Sequence, residues 1–126
     1  MATNNAVGWF EIYVQDIDRA KAFYEGVFKV TLQKLPTGDA GEMWAWPMDP
    51  EAKSGAPGSL VKMEGVPSGG MGTLVYFNCD DVAVEAKRAV ELGGKPFKDK
   101  FSIGDYGFIA LLHDTEGNMI GLHSLK

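Results

Sequence analysis

A single cysteine, Cys79, excludes an intrachain disulfide anywhere in the 126-residue chain. Its place on the apolar side of an alternating stretch marks it as a core residue rather than a nucleophile. No run of 18 apolar residues is present, so nothing in the sequence reads as a membrane span. The opening Met1-Ala2-Thr3-Asn4-Asn5 has neither the basic region nor the apolar stretch of a secretory signal, which makes the cytoplasm the expected location. Basic clusters are also missing. Twelve Lys and Arg against seventeen Asp and Glu leave a net charge of −5, which argues against nucleic acid as a partner. The segment Gly65-Val66-Pro67-Ser68-Gly69-Gly70 lacks the Gly-Lys-Ser/Thr ending of a phosphate loop and reads as a linker. What remains is a chain that is 45% apolar, enough for one core, at a length that fits one compact domain.

The chain is organised around Trp9-Phe10-Glu11-Ile12-Tyr13-Val14-Gln15-Asp16 and the segment that follows it. Phe10, Ile12 and Val14 alternate with Trp9, Glu11 and Tyr13, the period-2 signature of a strand with one packed face and one chemically mixed face. At Asp16, a good N-cap, the spacing becomes helical. Ile17, Ala20, Tyr24, Val27 and Phe28 then form one stripe, with Phe23 at its edge. A helix that folds back onto the apolar face leaves Trp9, Glu11 and Tyr13 pointing away from it.

The unit recurs. Val75, Phe77 and Cys79 alternate with Leu74, Tyr76 and Asn78; Asp81 is the cap, and Val82, Ala86, Ala89 and Val90 are the stripe, stopped by Gly93-Gly94. Asp16 and Asp81 lie 65 residues apart, about half of the chain. In order, the pattern predicts strands over 7–14, 30–35, 42–46 and 58–63 with a helix over 17–29. It then predicts strands over 72–79, a short 95–97, 108–112 and 119–125, with a helix over 81–92. The expected fold is α+β, a strand-helix-strand-strand-strand module used twice, module one about 1–65 and module two about 71–126.

This duplicated pattern resembles the vicinal oxygen chelate superfamily, which includes glyoxalase I, bleomycin-resistance proteins and extradiol dioxygenases. The most specific pieces are Val14-Gln15-Asp16 through Phe23-Tyr24, Asp80-Asp81-Val82, Gly93-Gly94 and the turn Asp114-Thr115-Glu116-Gly117-Asn118. The start Trp9-Phe10-Glu11-Ile12 and the ending Gly121-Leu122-His123 look like the bacterial group of lactoylglutathione-lyase-related proteins. The resemblance implies a single domain of two fused βαβββ modules whose curved sheets form a cup with the helices outside. It also implies a homodimer, a state that would cover Trp44, Trp46 and the open sheet edges.

Metal-dependent members of the superfamily usually place a His seven residues before the capping Asp of each module; here those positions hold Trp9 and Leu74. They usually place a Glu four residues after the Gly of the turn; here that position is Gly121. The remaining ligand comes from strand four, where Leu60 or Lys62 is the counterpart. None is a donor for a divalent metal at about 2.0–2.2 Å, so no cofactor is expected at the usual positions; a displaced divalent metal, with Glu11 and His123 as its first ligands, is the alternative left open. The residues expected to face the cup are Trp9, Glu11, Tyr13, Leu74, Tyr76, Asn78 and Gly121. Glu11 and His123 are the catalytic candidates, a carboxylate and an imidazole one inward step from the lost ligands, with Gly121 leaving room beside His123. Trp44 and Trp46 share a face and either wall the cup or pack an interface. His113, before the turn, reads as a surface or turn-packing residue. The expected function is binding of a small, partly aromatic or cationic molecule. The rivals are a lyase or isomerase that uses Glu11 and His123, and a dimeric protein with a vestigial pocket.

Overall fold

The computed structural model describes residues 5–52, 54–70 and 72–126. The chain divides into two compact units, one of residues 9–73 and the other of residues 1–8 together with 74–126. Eight strands and two helices alternate in the order expected: β1 (Val7–Tyr13), α1 (Ile17–Phe28), β2 (Gln33–Leu35), β3 (Glu42–Ala45) and β4 (Gly58–Lys62), then β5 (Thr73–Asn78), α2 (Val82–Glu91), β6 (Lys95–Ser102), β7 (Phe108–His113) and β8 (Met119–Ser124). Among the described residues, no helix is long and apolar enough to cross a membrane.

Both modules are wound the same way. In the first, the strands run β2-β3-β4-β1; in the second, β6-β7-β8-β5. The first and last strands of each module are parallel, β1 with β4 and β5 with β8, and the other neighbours are antiparallel. A parallel pair needs a long crossover, which α1 with β2–β3 and α2 with β6–β7 supply. A matched pair of glycines repeats with the modules. Gly41 (φ +101°) and Gly107 (φ +106°) lead into β3 and β7, and a Cβ at either would collide with a backbone carbonyl, of Lys62 or of Ser124. Only glycine meets both demands.

The helix signals act as read. Asp16 Oδ1 accepts from the Arg19 N–H at 3.0 Å, and Asp81 Oδ1 accepts from the Ala83 N–H at 3.0 Å, each satisfying one orphan donor of a first turn. Ile17, Ala20 and Tyr24 pack on Ile12, Val14, Leu32 and Leu60, while Ala86 and Ala89 pack with Val82, Phe77, Ala110, Leu112 and Leu122. Cys79 joins the second cluster, as its alternation requires. The ends of the helical stripes differ from expectation. Phe23, Val27 and Phe28 are 60%, 55% and 58% exposed.

Two strands differ in length by three residues or more. Residues 30–32 are not in β2: Lys29 closes α1 at φ +56°, and the Leu32 N–H donates to Glu25 Oε2 at 2.8 Å instead of to a neighbouring strand. The sixth strand is eight residues long rather than three, with register shifts between Pro96 and Lys98 and between Lys98 and Phe101. These bulges break the alternation that a sequence reading depends on.

Candidate functional site

Pairing fixes which side chains share a face. In the first module Phe10, Ile12, Trp44 and Leu60 lie on the α1 side, and Glu11, Tyr13, Met43, Ala45, Ser59 and Val61 on the other, through the pairs Glu11–Ser59, Tyr13–Val61, Ala45–Ser59 and Met43–Val61. The helix-free face carries Glu11. Glu11 is only 7% exposed. Its Oε1 accepts from the Tyr13 hydroxyl at 2.6 Å and its Oε2 from the Trp9 indole N–H at 3.1 Å. Residues 9, 11 and 13 are successive members of one strand face, so alternation alone brings these donors to the carboxylate.

Beside Glu11 in register is Ser59, fully buried, whose hydroxyl has no hydrogen-bond partner among the described residues. An unpaired buried hydroxyl costs about 1–3 kcal/mol in lost solvation. Ser59→Ala removes it at nearly constant shape and is expected to stabilise the chain by about 1 kcal/mol, a rise in Tm of about 2–5 °C. A lower Tm in differential scanning calorimetry would mean that the hydroxyl is bonded.

Trp44 and Trp46 are on the helix side. Trp46 meets Phe10 and Tyr24 with ring centroids 5.4 and 5.5 Å away. Trp44 donates its indole N–H to Glu42 Oε2 at 2.8 Å and has Lys21 Nζ 3.5 Å above its ring. The pair therefore packs beneath α1 and does not join the Glu11 face.

In the second module Leu74 and Tyr76, 7% and 6% exposed, lie on the helix-free face with Gly121 and His123. The Tyr76 ring covers Gly121: a Cβ there would overlap ring atoms Cδ1, Cε1 and Cγ. The space expected beside His123 is thus filled by an aromatic ring from the neighbouring strand. His123 Nε2 lies 2.6 Å from the Tyr106 carbonyl oxygen. A carbonyl only accepts, so Nε2 carries the proton and Nδ1 of the neutral ring keeps its lone pair. Asn78 donates its side-chain N–H to the Asn5 carbonyl at 2.8 Å, and its backbone N–H to the Ala6 carbonyl at 2.8 Å. His113 meets Phe97 edge-on at 6.0 Å, a packing role. Glu11 and His123 belong to different units.

The turn before β8 is held by Asp114, whose Oδ1 accepts from the N–H groups of Glu116 and Asn118 and whose Oδ2 accepts from the Asn118 side chain. These bonds, those from Asn118 foremost, hold its carboxyl below the usual range.

The model of the glyoxalase/bleomycin resistance protein/dioxygenase superfamily matches residues 6–122. The chain belongs to this superfamily. No curated protein matches it. Among solved structures, a hypothetical protein from Bacillus halodurans C-125 superposes with a TM-score of 0.71 at 14% identity, covering 95% of this chain and 94% of that one. Methylmalonyl-CoA epimerase from Mycobacterium tuberculosis gives 0.69 at 18% identity, covering 100% and 93%. A variant of the Streptomyces coelicolor epimerase in complex with 2-nitronate-propionyl-CoA gives 0.67 at 18%, covering 95% and 96%. At these identities the likeness is one of fold.

The modular pairing corrects one assignment within the superfamily pattern. Glu11 and Tyr76 are equivalent strand positions, and their register partners are Ser59 and Gly121. The strand-four counterpart of Gly121 is therefore Ser59, not Leu60, which faces α1, nor Lys62, which is exposed. The superfamily's ligand positions hold an indole and a hydroxyl in the first module, Trp9 and Ser59. In the second they hold an alkyl chain and no side chain, Leu74 and Gly121. This donor set does not fit a divalent metal, which takes imidazole, carboxylate or thiolate ligands. Among the described residues, no three of His, Cys, Asp and Glu are grouped as a metal would need.

Cys79 carries a further expectation. Burial, with the charge of Glu85 second, pushes its thiol up to about 11. The folded state favours the protonated thiol, so this stabilisation is complete below the ordinary thiol value and is lost as pH rises toward about 11. Iodoacetamide at pH 8 is expected to modify Cys79 about a hundredfold more slowly in the native chain than in urea. Equal rates would place the thiol at the surface.

Proposed function

We propose that the chain binds a small molecule on the helix-free face of its first module, with Glu11 as the anchoring carboxylate and Trp9 and Tyr13 beside it. One observation carries this reading: a carboxylate 7% exposed, fixed by two neutral donors from its own strand. The fixed orientation lowers the cost of ordering the group on binding. Leu74, Tyr76 and Asn78 are proposed as ligand-facing residues of the second module; Gly121, expected to face the cup, is covered by the Tyr76 ring.

The test is calorimetric titration of the purified chain with two kinds of probe. Methylmalonyl-CoA and propionyl-CoA represent the acyl-CoA molecules named for the fold neighbours, and benzamidine represents an aromatic cation. At least one is expected to bind, and Glu11→Gln is expected to weaken that binding at least about tenfold, the loss of one charge-assisted hydrogen bond. Binding that Glu11→Gln leaves unchanged would remove Glu11 as the anchor. No binding by any probe would remove the reading for these ligand classes.

A second reading is catalysis by His123, favoured by the tautomer that its bond to Tyr106 selects. An imidazole with Nδ1 unprotonated has a lone pair that can take a proton as a general base. Exchange of the methylmalonyl-CoA α-hydrogen in deuterium oxide, followed by NMR, is expected with the native chain and lost in His123→Ala. Equal exchange rates for the two proteins would dismiss it.

We also propose that the chain forms a homodimer. The exposed Phe23, Val27 and Phe28 on α1 are the apolar surface that supports it. Sedimentation of a 13.7 kDa monomer at all micromolar concentrations would refute it.

A further inference from the structure

The register of the second module places two lysines of β6 on its helix-free face. Lys98 pairs with Leu111, Leu111 with Gly121 and Gly121 with Tyr76, and Lys95 pairs with His113. Residues opposite one another across a sheet share a face, so Lys95 and Lys98 lie on the side of Tyr76, away from α2. Asp99 is the one acidic residue in β5, β6, β7 and β8. It falls in a bulge. Between the pairs Lys98–Leu111 and Phe101–Ile109, Asp99 and Lys100 together stand opposite Ala110, which packs in the α2 cluster. Lys100 Nζ donates to Asp81 Oδ1, in the cap of α2, at 2.9 Å, and Asp99 borders the hollow beside that helix. The bulge therefore sends the carboxylate of these strands to the helix side and keeps Lys95 and Lys98 on the other. In a chain of net charge −5, the strands present a helix-free face with ammonium groups and no carboxylate.

Lys98 forms no ion pair among the described residues, and its Nζ stands 4.4 Å from the Phe101 ring centroid. That contact lays the side chain along β6, over the face. Phe101 is beside Ile109, and Ile109 is beside His123. At about 4.8 Å per strand, Phe101 and His123 are about 10 Å apart. The strip between them is floored by Ile109 and Leu111, both half-buried and apolar. Its far side is fixed, since His123 Nε2 is bonded to the Tyr106 carbonyl. A strip of this width holds one aromatic ring and its head group. The Phe101 ring at its edge attracts an aromatic body beyond what burial alone supplies.

We propose that the helix-free face of the second module binds a small aryl carboxylate, its head group on the Lys98 ammonium and its ring on Ile109 and Leu111, reaching toward His123. The apolar floor supplies the favourable burial, and Lys98, with no carboxylate beside it on the strands, selects the sign of the head group. This assignment rests on the reading of the second module's face as ligand-facing; it does not rest on Glu11 as an anchor.

The experiment uses the full-length chain labelled with ¹⁵N and benzoate as the probe, followed by amide NMR shifts. Benzoate is expected to bind with a millimolar Kd and to perturb Lys98, Phe101, Ile109, Leu111 and His123. Benzyl alcohol, with the same ring and no charge, is expected to bind about fivefold more weakly, as is benzoate to Lys98→Gln, while Lys98→Arg keeps the native affinity. Lys98 is exposed, so these variants leave the packing intact. Glu11→Gln is expected not to weaken benzoate, which separates this site from the Glu11 anchor: benzamidine binding that needs Glu11 stands or falls without it. The proposal is overturned by benzoate shifts confined to residues outside this face, by equal affinity for benzyl alcohol, by an unchanged Kd in Lys98→Gln, or by no binding at about 10 mM.

Discussion

Gly121→Ala is expected to destabilise the chain by about 3 kcal/mol, the upper end of overpacking costs for one methyl group. The new Cβ would overlap three atoms of the Tyr76 ring, including Cγ at the ring's root. A collision with the far end of a flexible side chain is relieved by a small rotation. A collision at the root is relieved only by a change of χ1 or a backbone shift. Tyr76 is 6% exposed and in register with Gly121 on the parallel neighbour, so neither relief is available without disturbing the β5–β8 pair. Urea denaturation followed by circular dichroism measures the loss. In a Tyr76→Ala background the same substitution is expected to cost less than about 1 kcal/mol, giving a coupling of about 2 kcal/mol. Additive costs would show that the ring is not the obstacle.

Glu11→Ala is expected to destabilise the chain by about 2–3 kcal/mol. The side chain is buried, and its loss removes the bonds it now accepts from the Tyr13 hydroxyl and the Trp9 indole N–H. Hydrogen bonds to a charged group contribute about 1.5–3 kcal/mol, and a stranded donor loses its solvation as well. Glu11→Gln keeps one acceptor oxygen and is expected to cost about 1 kcal/mol. The order Ala worse than Gln, read from urea midpoints at constant m, distinguishes a bonded carboxylate from one that merely fills space. A Glu11→Ala protein as stable as the native one would show that the two donors find other acceptors.

The fold was legible where two signals agreed. At Asp16 and Asp81 the change from period 2 to helical spacing coincides with a capping side chain, and both helices begin there. The Glu11 face was legible because β1 is amphipathic, so parity alone places Trp9, Glu11 and Tyr13 together. Ser59 was not, because Gly58, Ser59, Leu60 and Val61 are all buried. A strand buried on both faces shows no alternation, and its register has to come from its partners. The pairing of Phe10 with Gly58 is what sets it. Trp44 and Trp46 were ambiguous for a related reason: a four-residue strand with aromatic residues suits either face, and the helix above decided it. The length of β6 was hidden by its bulges. Gly121 was seen as a missing side chain, but its neighbour across the sheet was not, since a sequence does not display what fills a vacated volume.

The unit that contains the second module also holds residues 5–8. Asn78 at the end of β5 spends both its backbone N–H and its side-chain N–H on the Ala6 and Asn5 carbonyls. A gene encoding only the second half would therefore make a product with unmet donors at that edge, one that completes itself by borrowing an N-terminal arm from another polypeptide. Severed at the linker and expressed as two pieces, the chain has a built-in reason for them to find each other, because one fragment carries the arm that the other is missing.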